Sequence, residues 1–273
     1  MVTGWERNNR THFDDIVLQY DFIRPKYPEE LFNDIIEFTK ANRTKVALEI
    51  GAGTGIATLP FLKAGFTVTA IDIGVNMVEH LKNKFNDFKN FSVINSAFED
   101  AVLIDNIYDL IYAGTAFHWV DAEIGCPKVF KLLKNGGVVA LFRYNMFQVE
   151  GERTWEKFQP IYEKHYYSYY TTTERPKKIP KADYFTPLEI KKGYRFESLK
   201  DYGFTDITNK LYDVSATYNA DDYITLLETM SDHRNLPEEN RTALNSEIRD
   251  TILNHGGSIN IDWVFQLYMG RKI

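Results

Sequence analysis

The chain has 273 residues, of which 44% are hydrophobic and 26% are charged, a composition typical of a globular protein with a substantial core. The formal net charge of −6 argues against a general nucleic-acid binder, because phosphate contacts require clustered lysine and arginine. No apolar run approaches the roughly 18 residues that span a membrane. The single cysteine, Cys126, allows no internal disulfide and no cysteine-rich metal site. We therefore expect a cytoplasmic protein that binds neither nucleic acid nor membrane.

The first half of the chain alternates short apolar strands with amphipathic helices. The predicted strands are KVALEI (45–50), FTVTAID (66–72), FSVINSA (91–97), YDLIYAG (108–114) and GGVVALFRY (136–144). The predicted helices are PEELFNDIIEFTK (28–40), ATLPFLKA (57–64), VNMVEHLKNKFNDF (75–88) and EIGCPKVFKLL (123–133). Such alternation predicts βαβ units, and therefore an α/β fold with a mostly parallel sheet and helices on both faces.

The second half of the chain predicts a different organisation. From Phe147 to about Tyr194 it shows no strand pattern, so we expect a mainly helical cap after the fifth strand. The predicted elements are a helix at 152–170, a strand at 202–218, helices at 219–233 and 237–257, and a final strand at 258–272. The predicted domains are a ligand-binding core with an N-terminal covering segment (1–146), the cap (147–205), and a part that completes the sheet and carries inserted helices at 219–256 (206–273).

A glycine-rich loop joins the first strand to the next helix. Glycines at 51, 53 and 55 permit positive φ angles and close approach of a ligand to the backbone. A loop that opens a helix can present N–H groups to an anion, but a dinucleotide fingerprint would require glycine at position 56, which is Ile56. The acidic Glu49 before the loop disfavours a pyrophosphate and suits a ligand with a positive group. The alternative is a tight turn without a ligand.

Asp72 ends the second strand, 21 residues after Gly51. An acid at this place commonly accepts hydrogen bonds from both hydroxyl groups of a ribose. A strand-end aspartate alone is more often a helix cap or a solvated residue. Together with the glycine loop, it predicts a nucleoside-containing ligand.

Four successive segments resemble the motifs of class I S-adenosylmethionine-dependent methyltransferases. They are LEIGAGTG, VTAIDIG, YDLIYAGTAFHWVD and LLKNGGVVALF, within residues 46–142. The segments YDFIRPKYPEEL, AFHWVD and SDHRNLPEENR also resemble small-molecule enzymes related to trans-aconitate methyltransferase. The resemblance implies a Rossmann-like class I methyltransferase fold, the cofactor S-adenosyl-L-methionine, and methyl transfer to a small-molecule acceptor that the sequence does not identify.

The same resemblance assigns cofactor contacts. Asp72 would bind the ribose, Ile73 would lie against the adenine, and Ser96 stands where the family often has an acid for the adenine amino group. Tyr20 and Arg24 would fold over the cofactor. The other implied cofactor contacts are Glu49, Gly51, Ala52, Gly53, Thr54, Gly55, Met77, Ala97, Phe98 and Ala113.

Two residues near the carboxyl ends of the fourth and fifth strands are candidates for contact with the acceptor. His118 could act as a general base if the acceptor carries a proton at pH 7, or it could pack beside Trp119. Arg143 could pair with an acidic substrate, or it could form an ordinary surface ion pair. The histidines lack metal-ligand spacing, so no metal is expected.

Three questions stay open at the level of the sequence. The aromatic run YEKHYYSYYTTTE (162–174) could line an acceptor pocket, although tyrosines at helical spacing more often pack against a core. A nicotinamide-dependent oxidoreductase and a non-catalytic S-adenosylmethionine-binding protein are the alternative functions. The oligomeric state could be a monomer or a dimer.

Overall fold

A computed structural model of the chain describes residues 14–40, 45–148, 154–171 and 199–273. These residues divide into two compact units. The first, which we call the sheet unit, comprises the described residues of 26–145, 199–212 and 264–273. The second, which we call the helical unit, comprises those of 14–25, 146–171 and 213–263. The predicted domains 1–146, 147–205 and 206–273 are functional assignments and stay a prediction.

Seven strands form one sheet. They are β1 (Val46–Ile50), β2 (Thr67–Asp72), β3 (Phe91–Asn95), β4 (Tyr108–Gly114), β5 (Leu133–Gln148), β6 (Thr205–Asn219) and β7 (Ser258–Arg271), in the order β3-β2-β1-β4-β5-β7-β6. β1 pairs in parallel with β2 and β4, β2 pairs in parallel with β3, and β4 with β5. This is the mostly parallel α/β sheet that the alternation of strands and helices predicts.

The last strand, β7, runs in the opposite direction to β5. The backbone N–H of Gly136, near the start of β5, donates to the carbonyl of Lys272, just after β7. Arg143, farther along β5, donates to Gln266, which lies earlier in β7. The order of contacts is reversed along the two strands, so β7 is antiparallel to β5.

Four helices belong to the sheet unit: α2 (Glu29–Thr39), α3 (Thr58–Lys63), α4 (Val75–Lys84) and α5 (Ala122–Leu132). The helix predicted at 75–88 is present as α4, and its residues Met77, Val78 and Leu81 are buried. The helix ends at Lys84 and does not reach Phe88 as predicted, because the following Asn-Asp pair favours a turn.

The sheet core is a continuous cluster of apolar side chains. It includes Leu48 and Ile50 of β1, Val139 and Leu141 of β5, and Cys126 of α5. Burial, with a smaller effect from the nearby Glu123, raises the pKa of the Cys126 thiol to about 11. Cys126 is therefore a core residue, as expected for a lone cysteine among apolar helix residues.

The helical unit contains α1 (Val17–Ile23), α6 (Thr154–His165), α7 (Ala220–Glu228), α8 (Ser231–Arg234) and α9 (Glu238–Leu253). The predicted helix at 219–233 is divided into α7 and α8 near Thr229. β5 continues to Gln148, so the strandless segment expected from Phe147 begins later. The part of the predicted cap between residues 172 and 198 lies outside the described residues.

The aromatic run after α6 packs within the helical unit. Tyr166, Tyr167 and Tyr170 are buried, whereas Tyr169 is 39% exposed. The hydroxyl of Tyr166 donates to the Asp232 carboxylate at 2.7 Å, and the Tyr170 hydroxyl donates to the carbonyl of the same residue at 2.7 Å. These contacts favour the packing interpretation of the run. None of the helices within the described parts of the chain is long and apolar enough to cross a bilayer.

Candidate functional site

The three glycines after β1 all adopt left-handed backbone conformations. Their φ angles are +66° at Gly51, +54° at Gly53 and +79° at Gly55. Residues with a Cβ rarely adopt these angles, which explains why the loop is built from glycine. The sequence expectation of positive φ angles in this loop is confirmed.

Close packing leaves no room for a side chain at two of these glycines, but not at the third. A Cβ on Gly51 would lie 2.5 Å from the Cβ of Ala116, and one on Gly55 would lie 2.5 Å from the Phe85 ring. A Cβ on Gly53 would have no atom within 4 Å. The backbone at Gly53 therefore borders open space that a ligand can occupy.

The amide groups of the loop are directed towards the protein. The N–H groups of Gly51 and Ala52 donate to the Ile71 carbonyl at 2.8 and 3.1 Å, and the Gly55 N–H donates to the Ala52 carbonyl at 2.9 Å. The N–H of Gly53 is also engaged, since it donates to a side chain of β2. These four amides do not form the anion cradle that a glycine-rich loop can offer, which argues against a pyrophosphate at this site.

Asp72 connects the end of β2 with the glycine loop. One carboxylate oxygen accepts the N–H of Gly53 at 2.7 Å, and the other accepts the N–H of Gly74, the N-cap residue of α4, at 2.8 Å. Asp72 thus makes the helix-capping contact that the alternative interpretation expected, and it also lies at the loop. A carboxylate has about four lone-pair sites, so it can accept more than one hydrogen bond at each oxygen.

Glu49 is directed into the core and is 1% exposed. Its Oε2 atom accepts hydrogen bonds from the Thr58 hydroxyl at 2.5 Å and the Tyr112 hydroxyl at 3.0 Å. Burial raises the pKa of Glu49 to about 8, and the two hydrogen bonds only partly offset this effect. Glu49 therefore joins β1 to α3 and β4. Its predicted contact with the cofactor stays a prediction.

The predicted adenine-binding residues lie at the ends of β2 and β3. The N–H of Ser96 donates to the Asp72 carbonyl at 3.0 Å, and the Ser96 hydroxyl donates to the Ala97 carbonyl at 2.9 Å. Met77 and Phe98 are each 3% exposed. The structure thus brings Ser96 beside Asp72, although the two residues are distant in sequence. The resemblance also implied Ile73, which directly follows Asp72.

The end of β4 carries Ala113, which is 1% exposed, and then a residue with φ of +54°, Thr115. The hydroxyls of Thr115 and Tyr27 are hydrogen bonded at 2.8 Å. The Tyr27 ring packs edge-on against Phe142 with centroids 4.8 Å apart. Sequence reasoning did not select Tyr27 or Thr115, although Tyr27 lies in the segment YDFIRPKYPEEL that carried part of the resemblance.

His118 lies in a single 3₁₀ turn, Phe117–Trp119, just after β4. Phe117 is buried and His118 is exposed, and the centroids of the His118 and Trp119 rings are 5.0 Å apart. Because Ala116 abuts Gly51, this turn lies next to the glycine loop. His118 contacts Trp119, as the packing interpretation expected, but its exposure leaves it accessible to a ligand.

Arg143 and Asn145 on β5 share one partner on β7. The Arg143 Nε and the Asn145 Nδ2 donate to the Oε1 atom of Gln266 at 3.0 and 3.3 Å. Gly114, the last residue of β4, is in register with Phe142, so Arg143 and Asn145 lie beyond the end of β4. The sequence selected Arg143 alone; Gln266 is distant in the chain and no local pattern marked it.

Tyr20 and Arg24 belong to the helical unit. The guanidinium carbon of Arg24 lies 4.8 Å from the centroid of the Tyr20 ring, and the guanidinium group donates to the carbonyl of Thr229. Their predicted contact with the cofactor stays a prediction. Within the described parts of the chain, no group of three or more histidine, cysteine, aspartate or glutamate side chains could hold a metal ion.

Comparison with known proteins connects this site to a family. The methyltransferase domain model matches residues 48–141. An uncharacterised methyltransferase of Schizosaccharomyces pombe is 26% identical over 257 residues, which cover 93% of this chain and 92% of that protein. The chain spans about half the length of several other curated relatives, 55% in one case.

Two solved structures share the fold. An unproven type II methyltransferase of Anaeromyxobacter dehalogenans has a TM-score of 0.61 and 19% identity, and the match covers 91% of this chain and 97% of that one. The other is phosphoethanolamine N-methyltransferase 2 of Haemonchus contortus in complex with phosphomonomethylethanolamine and S-adenosylhomocysteine. It has a TM-score of 0.54 and 16% identity, and the match covers 100% of this chain and 60% of that one. The matched residues 48–141 contain the glycine loop and Asp72, so this part of the chain is similar to a methyltransferase domain.

Proposed function

We propose that the sheet unit binds S-adenosyl-L-methionine across the carboxyl ends of β1 to β4 and transfers its methyl group to a small-molecule acceptor. The observation that carries this proposal is the open space at Gly53, whose left-handed backbone has no packing explanation. Several other glycines of the chain also combine positive φ with open space, but Gly53 lies in the loop that the methyltransferase domain model matches and is hydrogen bonded to Asp72, where a ligand can lie against the backbone.

The residues present fit the cofactor in two further respects. Asp72 places a carboxylate beside the loop, and a carboxylate is the group that accepts hydrogen bonds from ribose hydroxyls. The hydroxyl of Thr54, which is 1% exposed, has no hydrogen-bond partner among the described residues. Buried hydroxyls are usually paired, so a polar group of the cofactor would complete the site. We assign the methionine end to Gly51–Gly55 and Ala113, and the adenosine to Asp72, Ile73, Met77 and Ser96–Phe98.

The cofactor supplies an already activated methyl group on a sulfonium. The protein then has to align the acceptor with that group and exclude water, and positioning of this kind can be worth several kcal/mol. We assign His118 to the acceptor side, where an exposed imidazole next to the glycine loop can accept a proton from an acceptor that carries one. A cytoplasmic monomer or dimer stays the prediction for location and assembly.

Two measurements test this proposal. Calorimetry should show binding of S-adenosylhomocysteine and none of NAD, because the loop amides are already engaged. Incubation with a metabolite library and methyl-labelled cofactor should then label at least one acceptor. Binding of NAD in place of S-adenosylhomocysteine would support the oxidoreductase alternative, and cofactor binding without transfer to any acceptor would favour the non-catalytic one.

A further inference from the structure

The side-chain amide of Gln266 is fully buried in the sheet unit and only half of its hydrogen-bonding capacity is used. Gln266 is 0% exposed. Its Oε1 atom accepts from the Arg143 Nε and the Asn145 Nδ2. Its Nε2 atom is buried and has no hydrogen-bond partner in the described parts of the chain. A buried amide donor without a partner is unfavourable, so a group that accepts a hydrogen bond from Nε2 would complete this site.

The orientation of this amide follows from its neighbour. The Nε of a guanidinium can only donate, so the Gln266 atom that faces Arg143 must be the oxygen. Rotation of the amide by 180° would place two donors against each other. The Nε2 hydrogens are therefore held away from Arg143, and their direction does not depend on an arbitrary assignment of the amide atoms.

The Arg143 and Asn145 side chains lie on the sheet face that leads to the His118 turn. Successive strand residues alternate between faces, so Arg143 and Asn145 continue the face formed by Leu141. Leu141 belongs to the same core cluster as Phe117, which directly precedes His118. Because these two residues extend past the end of β4, the cluster with Gln266 lies at the same carboxyl edge as the proposed catalytic turn.

The donor groups of Arg143 and Gln266 favour an oxygen atom of a ligand. A guanidinium and a fixed amide N–H₂ are hydrogen-bond donors, and such groups pair with carboxylate or carbonyl oxygens. An ammonium group has no acceptor atom and could not pair with the Nε2 atom of Gln266. The Gln266 amide fixes the direction of its N–H₂ group, because the amide cannot rotate without losing the contact with Arg143.

We propose that the Nε2 of Gln266 donates a hydrogen bond to a carboxylate or carbonyl oxygen of the methyl acceptor and positions that acceptor beside His118. This proposal rests on the proposed methyltransferase function, since the acceptor is the molecule that Gln266 would hold. Gln266 is a positioning residue: it holds the acceptor and moves neither the methyl group nor a proton.

The first test is spectroscopic and uses the full chain saturated with S-adenosylhomocysteine. The side-chain amide signals of ¹⁵N-labelled protein are recorded with hexanoate and with hexan-1-amine as probes. We expect the Gln266 signals, identified by their absence in a Gln266→Glu variant, to shift with hexanoate and not with the amine. Unchanged Gln266 signals with hexanoate, or an equal response to the amine, would overturn the proposal.

The second test separates the donor from the structural role of the side chain. Gln266→Glu keeps an oxygen for Arg143 and Asn145, replaces the N–H₂ group with a second oxygen and adds a negative charge. The neutral Gln266→Met variant separates the lost donor from that charge. We expect unchanged affinity for S-adenosylhomocysteine and a loss of about tenfold or more in hexanoate affinity. Gln159→Glu on the exposed surface of α6 is the control and should change neither affinity.

The two proposals fail in different ways. A wild-type protein that does not bind S-adenosylhomocysteine would contradict the proposed function. Normal binding of S-adenosylhomocysteine, together with equal hexanoate affinity in the wild type and in Gln266→Glu, would overturn the role of Gln266 alone. A Gln266→Met variant, which removes the oxygen as well, should lose hexanoate affinity at least as strongly.

Discussion

The carboxylate of Asp72 accepts a hydrogen bond of 2.7 Å from the backbone N–H of Gly53. This bond joins the residue expected to hold the ribose with the glycine that borders open space. Two cofactor contacts that the sequence assigns to separate motifs are thus coupled, and a change at either residue should affect the other.

Replacement of Asp72 by alanine should weaken S-adenosylhomocysteine binding by about 1–3 kcal/mol, the scale of hydrogen bonds to a charged group. Calorimetry measures this loss. The wild type should also bind a 2′,3′-deoxygenated analogue more weakly, whereas Asp72→Ala should not distinguish the analogue from the parent compound. Asp109→Ala is a matched control, because Asp109 also accepts a backbone N–H, that of Val46, at the start of β4. Equal wild-type affinities for both compounds would contradict the ribose role.

Gly53→Val should abolish cofactor binding, because a branched side chain would fill the space beside the loop. Gly65→Val is the control, since Gly65 also has a positive φ, of +84°, and open space around its Cβ position. Both variants carry a comparable backbone penalty, so thermal unfolding should shift similarly in both. Calorimetry that finds wild-type affinity in a folded Gly53→Val protein would refute the site.

His118→Asn should retain cofactor affinity and lose about 10² to 10⁴ in turnover if the acceptor gives up a proton. The wild-type rate should also fall on acidification, because a protonated imidazole cannot accept a proton. His255→Asn, at an exposed residue of the helical unit, should leave the rate unchanged. Near-normal turnover in His118→Asn, measured with labelled cofactor, would assign His118 to packing or orientation.

Glu49 should make the folded protein less stable as the pH rises. Its pKa in the folded state is about 8, above the ordinary value of 4.5, so the folded protein binds more protons than the unfolded chain between these values. The free energy of unfolding should therefore decrease across this window, by an amount on the order of 5 kcal/mol in total, since the shift is about 3.5 pKa units and one unit corresponds to about 1.4 kcal/mol.

Glu49→Gln mimics the neutral side chain and should remove this decline, which denaturation at pH 5 and pH 8 would show. Glu37→Gln on the exposed surface of α2 is the control and should keep the wild-type pH dependence. The same decline in Glu49→Gln as in the wild type would show that another group is responsible.

Tyr166→Phe should destabilise the helical unit by about 1.5–3 kcal/mol, because the Tyr166 hydroxyl donates to the buried Asp232 carboxylate. Burial alone would raise the pKa of Asp232, but the adjacent His233 and the Tyr166 hydrogen bond lower it overall. The stabilisation from the ionised Asp232 is present above the ordinary aspartate pKa of 3.8. It is lost as the pH falls through the lowered pKa of Asp232 in the folded protein. Denaturation near pH 7 should show the full effect, and Tyr169→Phe, at a partly exposed ring, should show almost none.

Local patterns in the sequence predicted most of the fold and part of the site. The alternation of apolar strands and helices determined the parallel sheet, since each element has its own periodicity. The glycine loop and Asp72 were predicted because positive φ angles and strand ends have local residue preferences. These features depend on a few neighbouring residues, so a single sequence is enough to find them.

The tertiary structure alone decided which groups meet. Glu49 lies against Tyr112, 63 residues away, and Arg143 reaches Gln266, 123 residues away. The first pair depends on the order of the strands and the second also on the reversed direction of β7, and short-range periodicity encodes neither. The distinction between Gly53 and its two neighbouring glycines likewise came from the side chains of Ala116 and Phe85. Contacts of this kind arise when distant segments pack together, because the free energy of burying apolar surface sets the arrangement of whole elements.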